Sequence, residues 1–386
     1  MNARILGYLE AAAVAAIFLV PLIGYAILGG GPHLATQGVP VAQAAKAKRD
    51  YIVVGAKPNL LFVVDPMAKK VVHRYKIPGE GSPFSISTSP DGKIAYVLTD
   101  HWNAISGIDL DTGKEVFHTV LSSPGERVRS MGGIAISRDG KELFVQEVAT
   151  KLLPSEYKVE PARIDVYSTD GGLDAKPIRS FQTPRRIIMM MPSTNGKLLY
   201  ALGWDLYAFD IQTGKLVSTQ KVLHWDRAHA SKPDILDVWP QFEQSDVFST
   251  PYFYTRTDKK PGEPGFAKTG ILTLDLKTGA MKMRDFEDTA VVIFSSVVDP
   301  TDHDKVYGVY TTLSKIDLGK GKLDKRLNLA HTYYAVNISP NGKYLYIGGT
   351  MSDIAVYSAA NMKEVADITL PGAGDMATSS MRVIRR

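Results

Sequence analysis

Cysteine is absent from the 386 residues. That excludes disulfides, a CxxCH haem attachment, thiolate metal sites, a cysteine nucleophile and an N-terminal lipoprotein anchor within this chain. Catalytic motifs are scarce as well. There is no GxSxG, no HExxH, no Walker loop and no GxGxxG opening a helix. The eight histidines are dispersed, and His224 and His229 stand five apart in an irregular stretch, which is not a metal-site spacing. Basic residues are scattered, with only short clusters such as Lys46–Arg49 and Arg382–Arg386. No basic stripe interleaves with aromatics, so the net charge of +5 suits solubility or an acidic partner and argues against nucleic acid.

The long apolar run that is present lies at the start. Ala11 to Leu28, AAAVAAIFLVPLIGYAIL, is 18 residues without a charge, enough to begin spanning a bilayer. A small-polar stretch follows and ends in Ala42-Gln43-Ala44, an A-x-A pattern suited to signal peptidase. Residues 1–44 therefore read as a signal peptide cleaved after Ala44 or, given the long spacer before that site, an uncleaved N-terminal membrane anchor. In both cases Asp50 onward is expected outside the cytoplasmic membrane, in the periplasm.

The remainder is organised by one unit. Phe84 to Leu121 holds four short runs rich in Ile, Val, Phe, Tyr and Thr, cut apart by Asp-Gly and Thr-Gly turns. Four antiparallel strands in about 40 residues is the size of one propeller blade. The first turn, Asp/Asn-Gly-Lys, recurs at Asp91, Asp139, Asn195 and Asn341. The second recurs at Asp65, Asp109, Tyr167, Asp210, Asp275, Asp317 and Tyr357, with gaps of 44, 58, 43, 65, 42 and 40 residues. The two long gaps carry insertions. Seven second turns predict an all-β, seven-bladed β-propeller over residues 50–386. A β-sandwich or two smaller β domains would not explain a constant four-strand period. Tyr51 to Ile77 supplies only three strands, so the tail after Gly374 is expected to close the ring as the innermost strand of the first blade.

The insertion Leu223–Asp246 contains Trp225, Trp239 and Phe242, and Tyr252, Phe253 and Tyr254 follow it. Aromatics gathered in a rim loop suit a subunit interface or a pocket wall. The same loop could instead bury them on its own blade, and both readings stay open. His331, Tyr333 and Tyr334 enter an innermost strand, where they either face the axial channel or pack. Met189–Met191 reads as core filling. Asp109, Asp210, Asp275 and Asp317 recur at one turn, so each is expected to cap that turn and not to form an acidic ring.

Two resemblances rest on these stretches. Ser89–Asp100 and Ile108–Val116 resemble the broad bacterial seven-bladed repeat family with a YVTN-type signature. More specifically, Arg49–Ile52, Pro124–Val128, Lys232–Trp239, Thr250–Tyr254, Thr269–Leu276 and His331–Asn337 resemble the β subunit of quinohemoprotein amine dehydrogenase. Several of these lie in insertions, outside the blade repeat. The resemblance implies a periplasmic three-chain complex that deaminates primary amines to aldehydes. In it a γ chain carries cysteine tryptophylquinone, a dihaem cytochrome c α chain takes the electrons, and the propeller scaffolds both. It assigns no catalytic, cofactor or metal residue to this chain; Trp225, Trp239, Phe242, Tyr252, Tyr254, His331, Tyr333 and Tyr334 are the pocket or interface candidates. The long N-terminal segment departs from that pattern. The alternatives are a stand-alone exported propeller acting as a lactonase-like hydrolase, or a binding module.

Overall fold

The computed structural model describes residues 48–235, 239–376 and 380–386; the expected leader, residues 1–44, lies outside them. β1 (Asp50–Ala56), β2 (Leu60–Asp65) and β3 (Lys70–Lys76) begin the first blade. The second is β4 (Ile86–Thr88), β5 (Ile94–Thr99), β6 (Ala104–Asp109) and β7 (Glu115–Val120). In the third, β8 (Glu126–Arg129), β9 (Ile134–Ile136), β10 (Glu142–Leu152), β11 (Tyr157–Val159), β12 (Arg163–Ser168) and β13 (Pro177–Gln182) form one sheet. The fourth is β14 (Met189–Pro192), β15 (Leu198–Leu202), β16 (Leu206–Asp210) and β17 (Leu216–Gln220). The fifth is β18 (Val247–Thr255), β19 (Ala267–Asp275) and β20 (Met281–Glu287). The sixth is β21 (Ser295–Asp299), β22 (Asp302–Val309), β23 (Thr312–Asp317) and β24 (Lys322–Asn328). The seventh is β25 (Tyr333–Ile338), β26 (Tyr344–Gly349), β27 (Asp353–Ser358) and β28 (Glu364–Thr369), and β29 (Met381–Arg385) follows.

The tail closes the ring as the sequence predicts. β29 pairs antiparallel with β1 from Asp50↔Arg385 to Val54↔Met381, making the sheet β29-β1-β2-β3. Arg49 and Arg386 exchange both backbone hydrogen bonds, at 2.9 and 3.1 Å, so the closure is a two-way ladder. Buried side chains of adjacent blades then interleave. Val53, Leu61 and Val63 of blade one pack with Ala95, Val97 and Ile108 of blade two, for example.

The constant four-strand period fails at one blade. Among the described residues the fifth sheet has three strands and no innermost one. Pro251 supplies the physical reason. It has no N–H to donate, so β18 can present it only at an edge without a ladder partner. Two residues on, Phe253 turns the same edge to Asp234, exchanging bonds of 3.1 and 2.8 Å. Residues 239–246 then run down the axis in place of a strand.

The turns sort onto two faces. Turns from the first to the second strand and from the third to the fourth lie on the bottom face. Turns from the second to the third strand, and the connections between blades, lie on the top. Bottom turns are capped by their own side chains. Ser89, Ser137, Ser193 and Ser339 donate to Asp91, Asp139, Asn195 and Asn341 at 2.6 to 2.8 Å. Asp210 accepts the Thr213 amide and hydroxyl, both at 2.8 Å, and these bonds hold its carboxyl below the usual range. The recurring aspartates serve turns.

Candidate docking face and axial plug

The segment 239–246 crosses the axis and ties distant blades together. At its upper end Trp239 stacks on Phe294 and Tyr334, with centroids 6.1 and 5.9 Å away. In the middle Gln241 accepts a 2.6 Å hydrogen bond from Asn337 of β25. Lower down, Glu243 pairs with Arg382 of β29 at 2.9 Å. Arg382 is 3% exposed and also donates to the Ile86 carbonyl of β4 at 2.6 Å and to the Pro240 carbonyl. Gln244 reaches the Val383 carbonyl at 3.1 Å, and Asp246 pairs with Arg138 at 2.8 Å. A buried guanidinium is costly unless paired and fully hydrogen-bonded. Arg382 meets most of that condition: it pairs with Glu243, and its Nε and Nη1 join blade one, blade two and the plug.

Below the plug a funnel of about 430 Å³ opens on the bottom face, walled by the inner strands of blades one to four and by Phe242–Gln244. Phe242 lies 5.8 Å beneath the Arg138 guanidinium.

Trp225, Tyr252 and Tyr254 form a separate knot on blade five. Asp285 accepts from the Tyr252 hydroxyl (2.6 Å), the Tyr254 hydroxyl (2.9 Å) and Arg227 (2.8 Å). The Arg227 guanidinium sits 5.1 Å from the Trp225 ring and 4.9 Å from Tyr254. Burial, then the Asp285 carboxylate, pushes the Tyr254 hydroxyl up to about 12 and raises Tyr252 too. In this chain the knot fastens the insertion to its own blade. It is expected to carry stability: Asp285→Ala strands one cation and two buried hydroxyls and costs about 3 kcal/mol or more, read as a lower denaturant midpoint.

The run from His331 to Tyr334 divides. Tyr334 joins the axial stack with Trp239. Tyr333 is buried between blades six and seven, and its hydroxyl donates to Asp353 at 3.0 Å. The same carboxylate oxygen lies 3.2 Å from His331 Nε2.

Sequence reasoning missed two exposed tryptophans. Trp102 and Trp204 are 39% and 45% exposed and occupy the same top turn of blades two and four. Asp100, His101 and Trp102 hold φ of 50, 51 and 67°, three consecutive left-handed non-glycine residues that display the indole. Such strain persists only where surrounding structure enforces it; here Phe84 packs on Trp102 with centroids 5.1 Å apart. Met131, Leu152, Leu153, Tyr157, Val292 and Met351 are exposed on the same face. Met67 and Leu173 are the exposed large apolar side chains in bottom turns among the described residues. The two indoles stand seven and six residues before Asp109 and Asp210, so the blade repeat does not superpose them and only their shared turn marks them as equivalent.

One buried acid stands apart. Glu147 on β10 is inaccessible; it pairs with Arg163 at 2.9 Å and accepts the Tyr167 hydroxyl at 3.2 Å. Arg163 also serves Asp165 and Glu126, each at 3.2 Å. Burial, then the Asp165 charge, pushes the Glu147 carboxyl up to about 8 against the pull of Arg163. The folded chain thus holds a proton that the unfolded chain releases. Its stabilisation is complete below the ordinary glutamate value of 4.5 and is lost as pH rises toward about 8. A loss of a few kcal/mol is expected, read as urea midpoints falling from pH 5 to pH 8, and a smaller fall in Glu147→Gln. Among the described residues no three His, Cys, Asp or Glu side chains are grouped to hold a metal.

The fold defines the chain as a seven-bladed β-propeller, and the comparisons agree at that level. No protein-family model and no curated protein matches it. Solved structures with the fold are numerous: 1487 chains match, so the architecture selects no single function. Hydrazine synthase of Kuenenia stuttgartiensis is similar over 78% of this chain and 89% of its own, at 18% identity and TM-score 0.56. Apo AztD of Citrobacter koseri is similar over 88% and 99%, at 12% identity and TM-score 0.53. A functionally unknown protein of Desulfotomaculum acetoxidans is similar over 87% and 98%, at 14% identity and TM-score 0.56. At these identities the likeness shows a common fold alone.

Proposed function

We propose that this chain is the propeller subunit, without a cofactor of its own, of a periplasmic quinohemoprotein amine dehydrogenase. The observation that carries the reading is the concentration of exposed apolar side chains, Trp102 and Trp204 among them, on the top face. A cluster of exposed apolar side chains that includes two indoles marks a site of association. The sequence resemblance supplies the class of partner: a quinone-bearing γ chain and a dihaem cytochrome c α chain. Those groups supply the redox chemistry of deaminating a primary amine to an aldehyde and ammonia. The residues of this chain dock, exclude water and wall the shared pocket. Trp225, half-buried over Arg227, and His331, half-buried beside Asp353, stand on the docking side of that wall. The plug fixes the ring that presents it.

Each indole is an anchor worth roughly 2 kcal/mol of association. The double variant Trp102→Ala, Trp204→Ala is therefore expected to release the chain from its partners on size exclusion while the isolated chain stays folded, its melting temperature lowered only by the lost Phe84 contact. A native protein that purifies as a lone monomer, with amine oxidation intact in a strain lacking this gene, would overturn the reading.

A further inference from the structure

We propose that the funnel on the bottom face binds a small organic anion, a carboxylate carried on an apolar body. The cavity is blind, because the Arg382–Glu243 pair and Phe242 close it at the plug. Its volume of about 430 Å³ falls within the range of metabolite sites. Four cations line it, Lys48, Arg138, Arg382 and Arg385, against one carboxylate, Glu243. Asp246 and Asp50, which pair with Arg138 and Arg385, are not part of the lining.

The arginines are only partly satisfied. Arg138 commits Nε and Nη2 to the Pro192 and Ser193 carbonyls and Asp246. Arg385 commits Nε and Nη2 to Asp50. Arg382 commits Nε and Nη1 to Ile86, Pro240 and Glu243. Among the described residues the remaining terminal nitrogen of each has no hydrogen bond, and neither has Lys48. Arg382 is 3% exposed, so a partner for its free nitrogen must come from within the funnel. A carboxylate satisfies such donors with charge-assisted bonds that water cannot match. The ligand's apolar body would lie on Phe242 and Met190. With Asp246 and Asp50 counted beside Glu243 the surplus is one positive charge, which disfavours an ammonium ligand.

This inference does not rest on the amine dehydrogenase reading. Its test uses two probes of like shape and opposite charge, phenylacetate and phenethylammonium, titrated calorimetrically into the full-length protein. Phenylacetate is expected to bind, to weaken about tenfold in Arg138→Gln and in the exposed Lys48→Gln, and to weaken with salt. Phenethylammonium is expected not to bind. No phenylacetate binding at about 10 mM, equal binding of both probes, or phenylacetate binding unchanged in both variants would overturn the proposal. Lys48 makes no contact on which folding depends, so its variant keeps the test valid if Arg138→Gln lowers stability.

Discussion

Truncation after Gly374 is expected to abolish the cooperative fold. The lost strand, β29, is the innermost strand of blade one. Without it the inner edge of β1 from Asp50 to Val54 has no ladder partner. Met381, Val383 and Ile384, all buried, leave the core between blades seven, one and two. Ser380 also leaves; its hydroxyl accepts the Ile86 amide at 2.6 Å. Removing a single buried apolar side chain typically costs about 2–5 kcal/mol, against a total stability of about 5–15 kcal/mol for a folded domain. Three such losses and an opened ring exceed that margin. Thermal unfolding followed by circular dichroism, with limited proteolysis, reads the outcome. A truncated chain that melts as sharply as the full one would show that the closure is dispensable.

The second large effect is expected at Arg382. Arg382→Ala leaves Glu243 beside the Ile86 and Pro240 carbonyls with no cation between them. Breaking one partner out of a buried pair costs about 3–5 kcal/mol. The melting temperature is expected to fall by several degrees. Glu243→Gln is milder, because that carboxylate is one-third exposed. The pair Arg382→Met, Glu243→Gln is expected to recover part of the loss, since no uncompensated charge remains. Denaturant midpoints of the three variants settle the order. Equal losses in Arg382→Ala and the double variant would show that the pin acts through packing alone.

The ring was legible because its turns are chemical. Asp-Gly and Asn-Gly supply left-handed φ at Gly92, Gly140, Gly196 and Gly342, and the preceding serine caps each turn. The missing strand of blade one was legible by subtraction. Blade five was not, although Pro251 was in plain view. A proline within a strand marks an edge, and an edge next to the axis means the inner strand is absent. The axial plug rests on long-range contacts between Gln241 and Asn337, and between Glu243 and Arg382, whose separations of 96 and 139 residues leave no periodic trace. The aromatic candidates separated for a similar reason. Tyr333 and Tyr334 adjoin in sequence but point to opposite sides of a strand, so one packs between blades and the other stacks on the axis.

The central claim is that this ring docks partners and leaves the reacting groups to them. The most direct measurement is the composition and activity of the protein purified under mild conditions from its native host. The account predicts a hetero-oligomer with haem and quinone absorbance that reduces a dye when given a primary amine, and an isolated chain that does not. A lone chain that turns over substrate by itself would contradict it.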